Sequence, residues 1–126
     1  MDFKFTESYS GKAHWLPRLA FAGVFLYHGI TKFPAADGMA QNMGTPVFAV
    51  YLLALMETLG GALVLYGGTG KDWATRIGGI LIVPVMLGAI YLVHLPHGWN
   101  SVGNMGYEFQ VLLAALGLNF FLKGNK

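Results

Sequence analysis

Four apolar runs, roughly Trp15–Phe33, Val47–Gly67, Trp73–Leu95 and Met105–Leu122, leave little of the 126-residue chain outside them. Each holds about 18–23 residues, and at about 1.5 Å of rise per residue each matches the roughly 30 Å hydrocarbon core of a bilayer. Backbone N–H and C=O groups find no water in lipid, so every run reads as a helix that satisfies its own hydrogen bonds. A soluble bundle would need a polar face on each helix. Hydrophobic residues make up 55% of the chain and charged residues 11%, against about 25% charged in an ordinary soluble domain. The expected fold class is therefore an all-α membrane protein. It is a four-transmembrane-helix bundle over residues 15–122, with a polar leader over 1–14 and a short tail over 123–126.

A cleaved signal peptide is the alternative for the first run, since Lys4 and Lys12 precede it and Ala35–Ala36 offers a weak cleavage-like pattern. The leader is long for that role, and His28 and Lys32 interrupt the apolar stretch, so the run is read as a permanent helix. With four spans, Lys4, Lys12, Arg18, Lys71, Arg76, Lys123 and Lys126 share one side, and Lys32 alone of the eight basic residues lies towards the other. That asymmetry puts both termini in the cytoplasm. Trp15, Trp73, Trp99 and Tyr107 fall near span ends, where interfacial aromatics are favoured. The basic residues form no cluster of the kind nucleic acid requires. With no cysteine in the chain, disulfides, thiolate metal sites and dithiol relays are excluded.

Punctuation marks the same boundaries. Pro34 is expected to end the first helix, Pro46 to open the second, and Gly67, Gly68 and Gly70 to turn the chain. The segment HLPHGWNSVGNMG reads as an outward loop rich in turn formers. Gly23, Gly60, Gly61, Gly78, Gly79 and Gly88 read as packing contacts between membrane helices. Pro84 should kink the third span and free the carbonyl of Ile80.

Each span then contributes one interior ionisable group: His28, Glu57, His94 and Glu108. Such groups are costly in lipid and face a bundle interior or a wet cavity. His28, His94 and Glu108 converge on the outer half. Glu57 lies about 16 Å along the helix from Pro46, near the bilayer centre. Gly60 and Gly61 follow on its face, so it points at a neighbouring helix, with His28 as its expected partner and Arg18 as a weaker one. Lys32 is expected to snorkel to the outer headgroups. Three readings of this set compete. The groups are polar glue between helices, or a proton-handling or redox site, or a metal site. Histidine titrates near neutrality and can exchange protons with a carboxylate. A quinone headgroup would suit such donors, flanked by Lys32, Tyr91, Trp99 and Tyr107. The metal reading rests on His94, His97 and Glu108, with Met39, Met43 and Met105 as soft ligands. It is weakened by Pro96, which separates the two histidines. Glu108 has a plain explanation too, as an acid in the first turn of a helix.

Three segments taken together resemble the DoxX family: RLAFAGVFLYHGITKF (18–33), METLGGALVLYGG (56–68) and IYLVHLPHGWNSVGNMGYEFQ (90–110). The resemblance spans nearly the whole chain after the leader. It marks Arg18, His28, Gly29, Lys32, Glu57, Gly60, Gly61, His94, Pro96, Gly98, Gly106 and Glu108 as recurrent positions. It implies a four-span inner-membrane protein of the bacterial type, tied to membrane oxidoreductase systems such as a thiosulfate:quinone oxidoreductase with a small membrane subunit. The expected function is that of a membrane subunit or accessory factor of an oxidoreductase complex, working beside other subunits or as a homo-oligomer. A non-enzymatic assembly subunit and, less well supported, a small-molecule transporter are the alternatives.

Overall fold

The computed structural model describes all residues 1–126, and its regular secondary structure is all helical, with no strand. Helix α1, Lys4–Ser10, lies in the leader and buries no residue. The main helices are α2, Trp15–Met43; α3, Val47–Gly67; α4, Asp72–Ala89; and α5, Glu108–Lys123. They pack in chain order, α2 on α3, α3 on α4 and α4 on α5, while α2 and α5 touch little.

By length and composition, Val47–Gly67 and the segment Asp72–His97 are apolar enough to cross a membrane. Their outward sides carry Leu52, Leu55, Leu59, Ile77, Leu87 and Leu92, all exposed. So many exposed large apolar side chains on two helices are foreign to water and suited to lipid or a partner. The core between the helices holds Phe21, Phe25, Val64, Ile82, Val85, Met86, Leu113 and Phe120.

Two sequence-based boundaries move. Pro34 does not end the first helix, because α2 continues through it to Met43. The extra turns are anchored where Ala36 and Ala40, with Met39, pack against Val50 of α3. Tertiary burial thus outweighs the hydrogen bond lost at proline. The helix stops instead at Gly44, whose φ of 65° closes a Schellman turn with Gly44 N–H donating to Gln41 and Thr45 N–H to Ala40. At the other end of the chain, α5 begins at Glu108 rather than at Met105. Residues 98–107 form a loop folded on itself, in which Gly106, Tyr107 and Glu108 donate to the carbonyls of Asn100, Gly98 and Trp99.

The glycines divide. A Cβ on Gly78 would stand 2.8 Å from the Gly60 carbonyl oxygen and the Val64 nitrogen, so α3 and α4 touch backbone to backbone there. Gly61 likewise meets α2, and Gly79 meets Gly117 of α5. Gly23 and Gly88 have open space around them and are not helix contacts. Pro84 sits inside α4. Beyond Ala89 the helix changes pitch, to a π turn over Ile90–His94 and then a 3-10 turn over Leu95–His97.

Candidate functional site

A cavity of about 340 Å³ opens between α2 from Val24 onward, the middle of α3, the end of α4 and the start of α5. Most of its lining is apolar, and its polar groups are His28, Lys32, Glu57, His94 and Gln110. That volume lies at the small end of the range of about 300–1,000 Å³ in which proteins hold small molecules.

Glu57 is 4% exposed, on the face of α3 that also buries Ala54, Gly60 and Gly61. Its partner is Lys32 rather than His28: Lys32 Nζ lies 2.8 Å from Glu57 Oε2. The same ammonium donates to the His28 carbonyl at 3.3 Å. Lys32 therefore turns inward instead of reaching for headgroups, and one of its three N–H bonds remains for another acceptor. Burying a lone carboxylate here would cost several kcal/mol by the usual penalty of about 3–5 kcal/mol for a broken buried pair, so the Lys32 charge is what permits Glu57 to sit at this depth.

His94 is aimed by the π turn. The buried stripe of α4, Gly78, Ile82, Val85 and Met86, continued at helical pitch reaches Val93. One extra residue in a turn shifts this register by about 100°, and both Val93 and His94 then line the cavity. His94 Nδ1 is 2.7 Å from the Met105 carbonyl oxygen, which can only accept, so Nδ1 carries the proton. Its Nε2 in turn accepts from the Gln110 amide nitrogen at 3.1 Å. This leaves Gln110 Oε1 buried without a partner.

His28 borders the cavity but is exposed rather than interior, with its ring edge-on to that of Tyr27 at 5.4 Å. Met39, Met43 and Met105 line it as well. Glu108 stands apart from the cavity: its carboxylate accepts from Ser101 N–H at 2.8 Å, which ties down the loop. Tyr91 is 75% exposed and outside the lining, and Trp99 and Tyr107 meet edge to face with ring centres 5.6 Å apart. His97 is exposed on the 3-10 turn. No three His, Asp or Glu side chains come together in a way that could hold a metal ion, so His94, His97 and Glu108 do not form the ligand set that their order along the chain suggested.

Sequence reasoning missed Gln110. A signal was present, since Gln110 begins the stripe that continues through the buried Leu113, Gly117 and Phe120 of α5 at spacings of three and four. It missed also a polar knot at the other end of the helices. There Arg18, 2% exposed, donates to His14 Nδ1, the Val64 carbonyl, Thr75 Oγ1 and Asn125 Oδ1 at 2.7–3.0 Å. Asn125 completes the knot by donating to the Gly67 carbonyl at 2.9 Å and, through its N–H, to Asp72 at 2.8 Å. Nothing in the short tail announces that its asparagine docks between helices.

The class is defined at this point: an all-helical, membrane-associated protein whose helices enclose a largely apolar cavity with a buried ion pair on its wall. The DoxX family pattern matches residues 14–95, and the chain belongs to the DoxX family. Over 98 residues it is 35% identical to a Bacillus subtilis (strain 168) protein named "Putative oxidoreductase CatD", a match covering 75% of this chain and 68% of that relative. No solved structure matches it.

Proposed function

We propose that the chain is a membrane subunit or accessory factor of an oxidoreductase complex, crossing an inner membrane four times with both termini in the cytoplasm. The observation that carries this reading is the Lys32–Glu57 pair, 2.8 Å apart on the wall of an otherwise apolar cavity. Polar glue alone needs no cavity beside it. The kinship with a protein named as an oxidoreductase points the same way, and the seven-to-one split of basic residues supports the orientation.

A quinone-type headgroup fits the donor present. The remaining Lys32 N–H can donate to a carbonyl oxygen of such a group. Leu53, Val85, Leu92 and Leu113 supply apolar walls for the ring. Such a group, when bound, would supply two-electron redox chemistry linked to protons. The residues of this chain would orient it, keep bulk water away and hold counter-charge through Glu57.

The test is to purify the protein in mild detergent, extract bound small molecules and quantify quinone. Near-stoichiometric quinone in the wild type, lost in Glu57→Gln and in Lys32→Met, is the expected result. A stable protein partner in native mass spectrometry with no bound small molecule would instead make the chain an assembly subunit. Absence of quinone together with unchanged respiration after Glu57→Gln would overturn the redox reading.

A further inference from the structure

The end of the helices remote from the cavity carries a second concavity of about 570 Å³ with a different chemistry. Ser10, His14, Arg18, Lys123, Asn125 and Lys126 line it together with three glycines, and no acidic or apolar side chain does. Arg18 is the unusual member. It is 2% exposed, and every acceptor it meets is neutral: a histidine nitrogen, a carbonyl, a hydroxyl and an amide oxygen. The ion pairs of the chain are Lys4–Asp2, Lys32–Glu57 and Arg76–Asp72, so no carboxylate lies within ion-pair distance of Arg18, Lys123 or Lys126, and Asp72 feels the Lys126 charge only at longer range. The nearest acid in the hydrogen-bond network, Asp72, is engaged by Arg76 and by the Asn125 N–H.

The donors left over converge. A guanidinium has five N–H bonds, and the four hydrogen bonds of Arg18 leave one on Nη2 unspent. Because Arg18 Nε donates to His14 Nδ1, the proton of the neutral His14 ring sits on Nε2, which has no partner within the chain. The Lys123 and Lys126 ammonium groups border the same hollow. A buried cation without a counter-ion is costly, and the oxygen-rich group that relieves this arrangement is an anion with several acceptor atoms.

The geometry points to an oxyanion site at this end of the protein, taking a phosphate group through Arg18, His14, Lys123 and Lys126. A free phosphate in solution and the headgroup of an acidic phospholipid offer the same chemistry of recognition. The site is independent of the cavity and of the oxidoreductase reading.

Arginine-selective ¹⁵N labelling of the full chain gives a direct readout, because Arg18 and Arg76 are its only arginines. Inorganic phosphate is titrated into the detergent-solubilised protein, and separately the protein is placed in nanodiscs of phosphatidylglycerol or of phosphatidylcholine. The Arg18 side-chain signal is expected to move saturably while Arg76 stays. Movement with inorganic phosphate identifies a free anion as sufficient, and movement in phosphatidylglycerol discs alone identifies the headgroup. Lys123→Gln with Lys126→Gln, two exposed positions, should weaken the response about tenfold through loss of charge-assisted contacts, with the Arg76 signal reporting that the fold persists. An Arg18 signal that moves in neither arm, or that responds equally in the double variant, overturns the proposal.

Discussion

Lys32→Met removes one partner of the Lys32–Glu57 pair and keeps most of the side-chain volume. The Glu57 side chain is 5% exposed and that of Lys32 16%, so neither charge has water to fall back on. Removing one member of such a pair strands a buried carboxylate and costs about 3–5 kcal/mol. Glu57→Gln is milder, about 1–3 kcal/mol, because the amide still accepts a hydrogen bond and the flexible lysine stem can redirect its charge. The double variant, Lys32→Met with Glu57→Gln, should cost less than the sum of the two, with a coupling of about 2 kcal/mol, inside the range of about 0.5–3 kcal/mol for directly contacting groups. Reversible unfolding in mixed detergent micelles measures all four corners of the cycle. Lys4 and Asp2, 3.7 Å apart and with side chains 83% and 68% exposed, provide a control pair without measurable coupling. Additivity at Lys32 and Glu57 to within about 0.3 kcal/mol would refute the idea that the pair is desolvated and mutually dependent.

Gly78→Ala should destabilise the protein by about 1–3 kcal/mol, since its methyl meets the Gly60 carbonyl and the backbone of Val64. Gly23→Ala, with open space around it, should be neutral or stabilising by up to about 1 kcal/mol; both are read in the same unfolding assay. Asn125→Ala removes the amide that bridges Arg18, Thr75 and Gly67, and should lower stability by about 1–3 kcal/mol. Its effect on thermal unfolding should exceed that of Asn104→Ala, a loop residue without a side-chain hydrogen bond. Ring ¹⁵N shifts of the neutral His94 imidazole should report the Nδ1–H tautomer, and Gln110→Leu should change the Nε2 shift while leaving Nδ1 bonded to Met105.

Much of the helical layout was legible because apolar length and backbone satisfaction leave a lipid-embedded segment so little choice. The inward aim of Glu57 was legible for a local reason, the glycines one turn further along its face. Its partner was not: a lysine stem has four rotatable bonds, and only the packed neighbours decide whether its charge turns to solvent or to a buried acid. Pro34 misled for a similar reason. Local chemistry says stop, but Ala36 and Ala40 find Val50 across the gap and hold the helix together. The aim of His94 depends on a π turn, a one-residue change of pitch that no residue type marks. The docking of Asn125 depends on where four helices end, which a pattern read along one of them does not contain.

Dipolar recoupling between the ¹⁵N of Lys32 Nζ and the ¹³C of the Glu57 carboxyl, in protein reconstituted into lipid bilayers, reaches the central point most directly. A strong coupling is expected, matching an N–O separation of 2.8 Å, with no proton spin diffusion from acyl chains arriving first at either group. Absence of the coupling, together with early transfer from acyl chains to the Glu57 carboxyl, would place the acid against lipid and contradict an ion pair sheltered on an internal cavity.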